Sequence, residues 1–263
     1  MTHCHAQPKA LKGMPLTGDE KKLMTHLIET MVRPHARVDA VVLGEKFVGI
    51  VAEGHMGLSS LLGAQPREDE EKLARELEGA PLSRAAALVE SSSPFSLALG
   101  LAALNAGTTP ATEEIGDSDL PADELIARLG KNKNVGLVGD FPFTQSLSQR
   151  VGQLHLFELN PVPGALPRDQ WEKVLPQLDV LALTATTLLS RHMAWYLTRA
   201  VKAEVIILGP TTPMAPALFD WGANYLCGSV VTDIERVTAS LNSGACFRTI
   251  KQNGGIRFVQ WEK

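Results

Sequence analysis

The stretch Val135-Gly136-Leu137-Val138-Gly139-Asp140-Phe141-Pro142-Phe143 is a short apolar run that breaks on a glycine. Four more apolar runs of strand length follow, at residues 154–158, 180–184, 205–208 and 225–227. Between them lie segments of helical period around Ser146, Trp171, Met193 and Phe219. Strands that are apolar along their whole length and alternate with helices predict a parallel sheet covered on both faces. Downstream, Thr232-Asp233-Ile234-Glu235 reads as a capping box that opens the last helix. Residues 247–250 and 256–259 read as a closing hairpin.

Upstream of that stretch the pattern differs. Thr17-Gly18-Asp19-Glu20 reads as a capping box, because the Thr hydroxyl and the Glu carboxylate can satisfy two orphan amides. Leu23, Met24, Leu27, Ile28 and Met31 follow at helical spacing, and Pro34 ends that helix. Residues 38–43 and 47–52 are β-branched runs around Gly44-Glu45-Lys46, the pattern of a hairpin. Beyond the hairpin the pattern turns helical. Residues 67–78 are charge-rich and expected to be solvated. Ser93 and Pro94 open a helix that is apolar all round, hence buried, and Gly107 is expected to stop it. Residues 108–120, rich in Thr, Pro, Gly and acids, read as a linker. A helix over 121–129 then leads into the second half. The expected fold is therefore α/β. A flexible tail (1–16) and a smaller α+β domain (17–107) precede the linker and a Rossmann-like parallel-sheet domain (121–263).

A formal net charge of −4 with no basic run argues against a nucleic-acid surface. No apolar stretch approaches the roughly 20 residues that span a bilayer, and the first 15 residues lack the apolar core of a signal peptide. Cys4, Cys227 and Cys246 are an odd number without framework spacing, which suits a reducing compartment such as the cytoplasm. His3-Cys4-His5 could ligate a soft metal but lies in the tail, without fixed geometry. His55, His155 and His192 are scattered and read as surface or core histidines.

In an open parallel sheet the ligand sits beyond the carboxyl ends of the strands, where strand order reverses. The candidate ligand-binding residues therefore follow the strands. Gly139, Phe141 and Pro142 follow the first. This is not a dinucleotide fingerprint, since Phe141 and Pro142 stand where a backbone must approach pyrophosphate. Glu158 ends the second strand, and is either a ribose partner or a solvated carboxylate. Thr184 and Thr187 end the third, as ligand hydroxyls or helix caps. Gly209, Pro210, Thr211 and Thr212 follow the fourth, as an anion-binding loop or a rigid Pro-braced turn. Asn105 near the end of the apolar helix is either a ligand contact or a helix-terminal hydrogen bonder. Cys227 is either a small buried hydrophobe or a reactive thiol. No protein metal site and no catalytic residue is assigned.

Taken together, the motifs resemble the heavy-metal chelation family, a prokaryotic family whose activity is not established. The resemblance runs through residues 136–143, Phe157-Glu158, Asp179, residues 184–187 and 209–213, and Gly222 through Asp233 to Gly244, and adds Asp233 to the candidate ligand-binding residues. Upstream it takes in Leu101-Ala102-Ala103-Leu104-Asn105-Ala106. It implies an N-terminal domain similar to the enolase N-terminal capping domain, a Rossmann-like C-terminal domain, and a site in the cleft between them. One departure stands out: where the family tends to carry Asn-Gly-Thr, this chain has Ser190-Arg191-His192.

Two functions compete. The first is binding or processing of a small metal-chelating molecule, with hydroxyl, amide and carboxylate groups at the strand ends as its contacts. The second is an enzyme that uses an adenosyl or nicotinamide cofactor, motivated by Glu158. The Phe141-Pro142 turn weakens its pyrophosphate form. The cofactor stays unspecified, the partner is a small-molecule ligand such as a metal chelate, and a homo-oligomer remains open.

Overall fold

In the computed structural model, which describes residues 16, 18–108, 121–160 and 162–263, the expected hairpin is present. β1 (Val38–Leu43) pairs antiparallel with β2 (Phe47–Ala52). A third strand, β3 (His55–Ser60), extends it through a Glu53–Gly54 turn in which both residues have positive φ. The sequence reading missed β3 because HMGLSS has no β-branched residue and three small ones. Every residue of β2 is buried, since the small sheet is covered twice. The Pro94–Thr108 helix covers one face, and the Ile234–Asn242 helix brings Val237 and Leu241 against Val42, Phe47 and Met56 on the other.

The Pro94–Thr108 helix is buried from Phe95 to Thr108, as its all-round apolarity predicts. Each of Leu97, Leu99, Leu101 and Leu104 contributes roughly 2 kcal/mol by leaving water. The helix lies so close to β3 that a Cβ on Gly57 would sit 2.1 Å from the Ala102 carbonyl oxygen and 2.2 Å from the Ala106 nitrogen. Gly107 does not stop this helix: it lies inside, and the helix runs one residue further to Thr108. Residues 67–78 are only half solvated. They form the Glu68–Glu76 helix, whose inner side buries Glu70 and Ala74, with Leu77 buried at its C-cap. Glu70 is satisfied there by the Ser93 and Ser96 hydroxyls and the Arg67 amide.

The remaining strands are β4 (Asn134–Val138), β5 (Gln153–Phe157), β6 (Val180–Thr184), β7 (Glu204–Leu208), β8 (Tyr225–Val231) and β9 (Ile256–Glu262). They form a six-stranded sheet in the order β5-β4-β6-β7-β8-β9. β5 to β8 run parallel and only β9 is antiparallel. Three sequence expectations need correction here. Residues 247–250 are not a strand of a closing hairpin but part of the Phe247–Asn253 helix, so β9 pairs with β8 instead. The helix that the second capping box opens is consequently not the last. Nor is its cap the Thr232 that heads the box: the cap is Asp233, whose carboxylate accepts the Arg236 amide at 3.0 Å.

The two sheets are separate, but one continuous core joins them. Leu23, Ile50, Leu101, Phe157, Leu183 and Leu218 belong to the same buried cluster. Among the described residues no helix is long and apolar enough to cross a membrane. Residues 1–15 of the expected tail, with the His3-Cys4-His5 cluster, and Thr17 and residues 109–120 lie outside the described residues, while Leu16 packs against the core.

Candidate functional site

Parallel pairing brings the carboxyl ends of β4, β5, β6 and β7 to one edge of the sheet. The order of connection reverses between β4 and β6, because β5 lies on the far side of β4. At that point Gly139 leaves β4 with φ +101, and a Cβ placed on it would lie 3.1 Å from Cγ2 of Thr184. The ends of β4 and β6 thus meet backbone to side chain, an approach that glycine allows.

Polar groups gather around this contact. The Glu158 carboxylate accepts the Asp140 amide at 3.2 Å and the Asn160 amide at 3.0 Å, which ties the ends of β4 and β5 together. The Thr184 and Thr186 hydroxyls lie 2.9 Å apart and both residues are half-buried. Thr186 was not singled out from sequence. A T-A-T-T run does not reveal which hydroxyls a tight 3-10 turn will turn outward. Thr187, which was singled out, is buried. Its hydroxyl donates to the Thr184 carbonyl at 2.8 Å and approaches the Met193 sulfur at 3.4 Å.

On the outer side, Phe141 and Phe143 stack at 4.9 Å, and the Phe141 amide donates to the Thr144 hydroxyl at 2.9 Å. A groove of about 390 Å³ lies against Phe141, Pro142, Gln145, Leu156 and Val162. The helix after this turn, Thr144–Ser148, has only five residues. Its dipole is correspondingly short, a second physical reason, besides Pro142, against pyrophosphate at this position.

The loop after β7 does something different. Gly209 has φ +112, and the Thr212 hydroxyl donates back to its carbonyl at 2.7 Å. Thr211 is fully buried, and its hydroxyl accepts the Ser60 amide of β3 at 3.1 Å. Asn105 Nδ2 donates to both the Leu58 carbonyl (2.7 Å) and the Thr211 carbonyl (3.2 Å). Asn105 and Thr211 therefore fasten the loop to the small sheet, while Pro210 stays half-buried. Asp233 is occupied as a helix cap and pairs with Arg236 at 3.2 Å. The contacts thus join Gly139, Glu158, Thr184 and Thr186 into one cluster, and Asn105 and Thr211 into another.

A third polar group joins Glu20, read from sequence only as the carboxylate of a capping box, to Arg191 and His192, read only as a departure from the family pattern. Glu20, 1% exposed, sends its carboxylate to the Ala194 amide at 2.8 Å and the Trp195 amide at 3.4 Å. Burial pushes its pKa up to about 7 against the pull of those amides and of Arg191. Arg191, at φ +55 and 4% exposed, donates to the Val89 and Ser91 carbonyls. Next to it, His192 Nδ1 lies 2.6 Å from the Ser190 carbonyl oxygen. Cys227 lies within β8, not at a strand end, and burial pushes its thiol up to about 12, so the thiolate is scarce at neutral pH. Among the described residues no group of three His, Cys, Asp or Glu side chains is placed to hold a metal ion.

Residues 122–260 match the model of the DUF364 family and residues 25–107 match that of DUF4213; both carry the description "Putative heavy-metal chelation". An uncharacterized protein of Methanocaldococcus jannaschii is 28% identical over 122 residues, 44% of this chain and 47% of that protein. The match thus spans about half the length of that curated relative. A DUF364-family crystal structure from Desulfitobacterium hafniense, of unknown function, aligns with a TM-score of 0.80 and 28% identity. It covers 93% of this chain and 98% of that one. A second, from Pyrococcus horikoshii, aligns with a TM-score of 0.73 over 95% and 100% of the two chains, and at 21% identity the likeness is one of fold.

Proposed function

Because this chain belongs to the DUF364 family, we propose that it binds or processes a small metal-chelating molecule in the cleft between its two sheets, at the ends of β4, β5 and β6. The observation that carries the proposal is the half-buried Thr184–Thr186 hydroxyl pair beside Gly139, at the point where strand order reverses. Paired hydroxyls and a nearby carboxylate recognise the oxygen and nitrogen groups of an organic ligand. They are hard donors, ill suited to closing a shell around a bare soft metal. The metal is therefore read as cargo that the organic molecule brings.

Thermal unfolding with metal ions, chelators and metal chelates tests this, since a ligand of the folded state raises the midpoint by mass action. A chelate or its chelator should raise the midpoint of the wild type, and Thr186→Val should lose most of that rise. A flat response to every chelator and chelate would refute the proposal. Glu158 favours a second reading, an adenosyl ligand whose ribose it would contact. Both its oxygens already accept amides, so the ribose would have to share them. Adenosylmethionine and NADH belong in the same screen, and a larger rise with either would promote the enzyme reading.

A further inference from the structure

We propose that the groove beside Phe141 seats an aromatic ring of the ligand, and that the ligand is an aromatic amine chelator carried as a positively charged complex. The inference rests on the chelate-binding reading and names the substrate class that reading leaves open.

The groove exists because a helix is too short. A strand of a parallel sheet is ordinarily covered on both faces. The Thr144–Ser148 helix beside β5 has five residues, as β5 does. At about 1.5 Å per residue against about 3.3 Å, it is less than half as long as the strand it should cover. Leu154 and Leu156 point to the same face of β5, yet only Leu156 is buried and Leu154 stays half-open. These two side chains floor the groove. Its near walls are the Phe141-Pro142 turn and the helix residues Gln145 and Ser148. Its far wall is segment 162–164, held against β5 where the Leu166 amide donates to the Leu156 carbonyl at 2.7 Å. At about 390 Å³ the opening has the size of a small-molecule site.

The walls specify the occupant. Phe143 stacks on Phe141 at 4.9 Å with 15° between the planes, and the Phe141 amide is held by the Thr144 hydroxyl. Phe141 is therefore a fixed wall, and the surface that Phe143 leaves open lines the groove. A ring laid between it and the two leucines buries apolar surface on both sides. Among the described residues Asp140 is the only ionisable one in the lining, and its carboxylate is exposed. Its amide donates to Glu158, so a second carboxylate stands beside it. Charge complementarity at this rim favours an amine or a cationic complex and disfavours an anionic chelator.

The same phenylalanine joins the groove to the hydroxyl pair. A Cβ placed on Gly139 would lie 3.4 Å from Cε2 of Phe141 and 3.1 Å from Cγ2 of Thr184. The rim of the groove and the Thr184–Thr186 pair are thus neighbours across a single glycine. A chelator with its ring against Phe141 presents its metal-binding atoms on that side.

The probes are the zinc complexes of dipicolylamine, diethylenetriamine and pyridine-2,6-dicarboxylate. Each chelator grips zinc through three atoms. The first complex has rings and positive charge, the second the same charge without rings, and the third a ring without net charge. Coordination of zinc by surface histidines is open to the first two alike and cancels in their comparison. Calorimetric titration of the full chain should give the first a Kd roughly tenfold or more below the other two. Ser148→Trp fills the groove from the exposed side of the helix. It should abolish that preference and leave the thermal midpoint of the free protein unchanged. Phe141→Leu should reduce the preference several-fold. Asp140→Asn should weaken the two positively charged complexes and spare the dicarboxylate. Equal binding of the ringed and ringless amines, tightest binding of the dicarboxylate, a preference that survives Ser148→Trp, or no binding of the dipicolylamine complex overturns the inference. The chelate-binding reading fails separately, by a flat response to every chelator and chelate in the thermal screen.

Discussion

At the strand ends, Thr184 and Thr186 turn their hydroxyls toward each other and stay half-open to solvent. At the seam between the sheets, Asn105, Thr211, Glu20 and Arg191 are buried and bond to backbone far away in sequence. Glu20 reaches across 174 positions, Asn105 across 106 and Arg191 across 100. Both regions draw on similar polar residues in or beside loops. What separates them is who satisfies the polar groups. A group satisfied by distant backbone serves as glue, because burying it unsatisfied would cost more than the fold can spare. A group satisfied only by its local turn keeps capacity for a ligand.

The strongest way to break the seam is to push its elements apart. Gly57→Val forces a branched side chain against the backbone of the Pro94–Thr108 helix, where even a Cβ would lie 2.1 Å from an oxygen. Neither partner atom is a flexible side chain, so the helix must move. The expected loss is about 3 kcal/mol or more, above the usual range for overpacking, measured by urea unfolding. A loss below about 1 kcal/mol would mean the small sheet tolerates a different spacing.

The next effect is a pH dependence. The unfolded chain releases the Glu20 proton near the ordinary carboxyl value of 4.5, while the folded chain keeps it up to about 7. Between those values the folded state binds more protons, so stability falls as pH rises through that window. Asp19 reinforces the shift, and Arg191 and the two helix amides oppose it. The size is roughly 3 kcal/mol at a conversion of about 1.4 kcal/mol per pH unit. Glu20→Gln keeps an acceptor for Ala194 and Trp195 without the titration. The stability difference between wild type and variant should therefore shift in favour of the variant between about pH 5 and about pH 8. A difference that does not change with pH would show that Glu20 is ionised throughout.

Asn105→Ala should cost about 2–3 kcal/mol, because the buried Leu58 and Thr211 carbonyls both lose the Nδ2 donor. The variant also sharpens the comparison. If Asn105 is glue, the loss of stability should accompany no specific loss of chelate affinity in molecules that remain folded.

Much of the fold was legible because it is written in local periodicity. The apolar runs that became β4 to β8 and the uniformly apolar stretch that became the Pro94–Thr108 helix are cases in point. β3 and the Phe247–Asn253 helix were not, because tertiary packing decides them. Gly57 is in a strand on account of the helix above it, and FRTI fits either state until β9 pairs with β8. The site was legible only as an edge. Strand ends located Glu158 and Thr184, but nothing local distinguishes Thr186 from Thr187, or marks Glu20 as the partner of a helix 174 positions away.

The smallest stability effect should come from Thr184→Val. Valine keeps the β-branched shape and the contact with Gly139, and removes only the hydroxyl. That hydroxyl faces Thr186 at 2.9 Å and accepts the Thr186 amide weakly at 3.4 Å. Both partners are half-buried at the sheet edge, so water can replace much of what is lost. The Thr187 hydroxyl continues to bond the carbonyl of residue 184, which the substitution leaves in place. The expected cost is about 1 kcal/mol or less by urea unfolding, well under that of Asn105→Ala. The same substitution should reduce the thermal response to a bound chelate by half or more. A cost near that of Asn105→Ala, with the chelate response intact, would place Thr184 with the glue and remove the distinction between edge and seam.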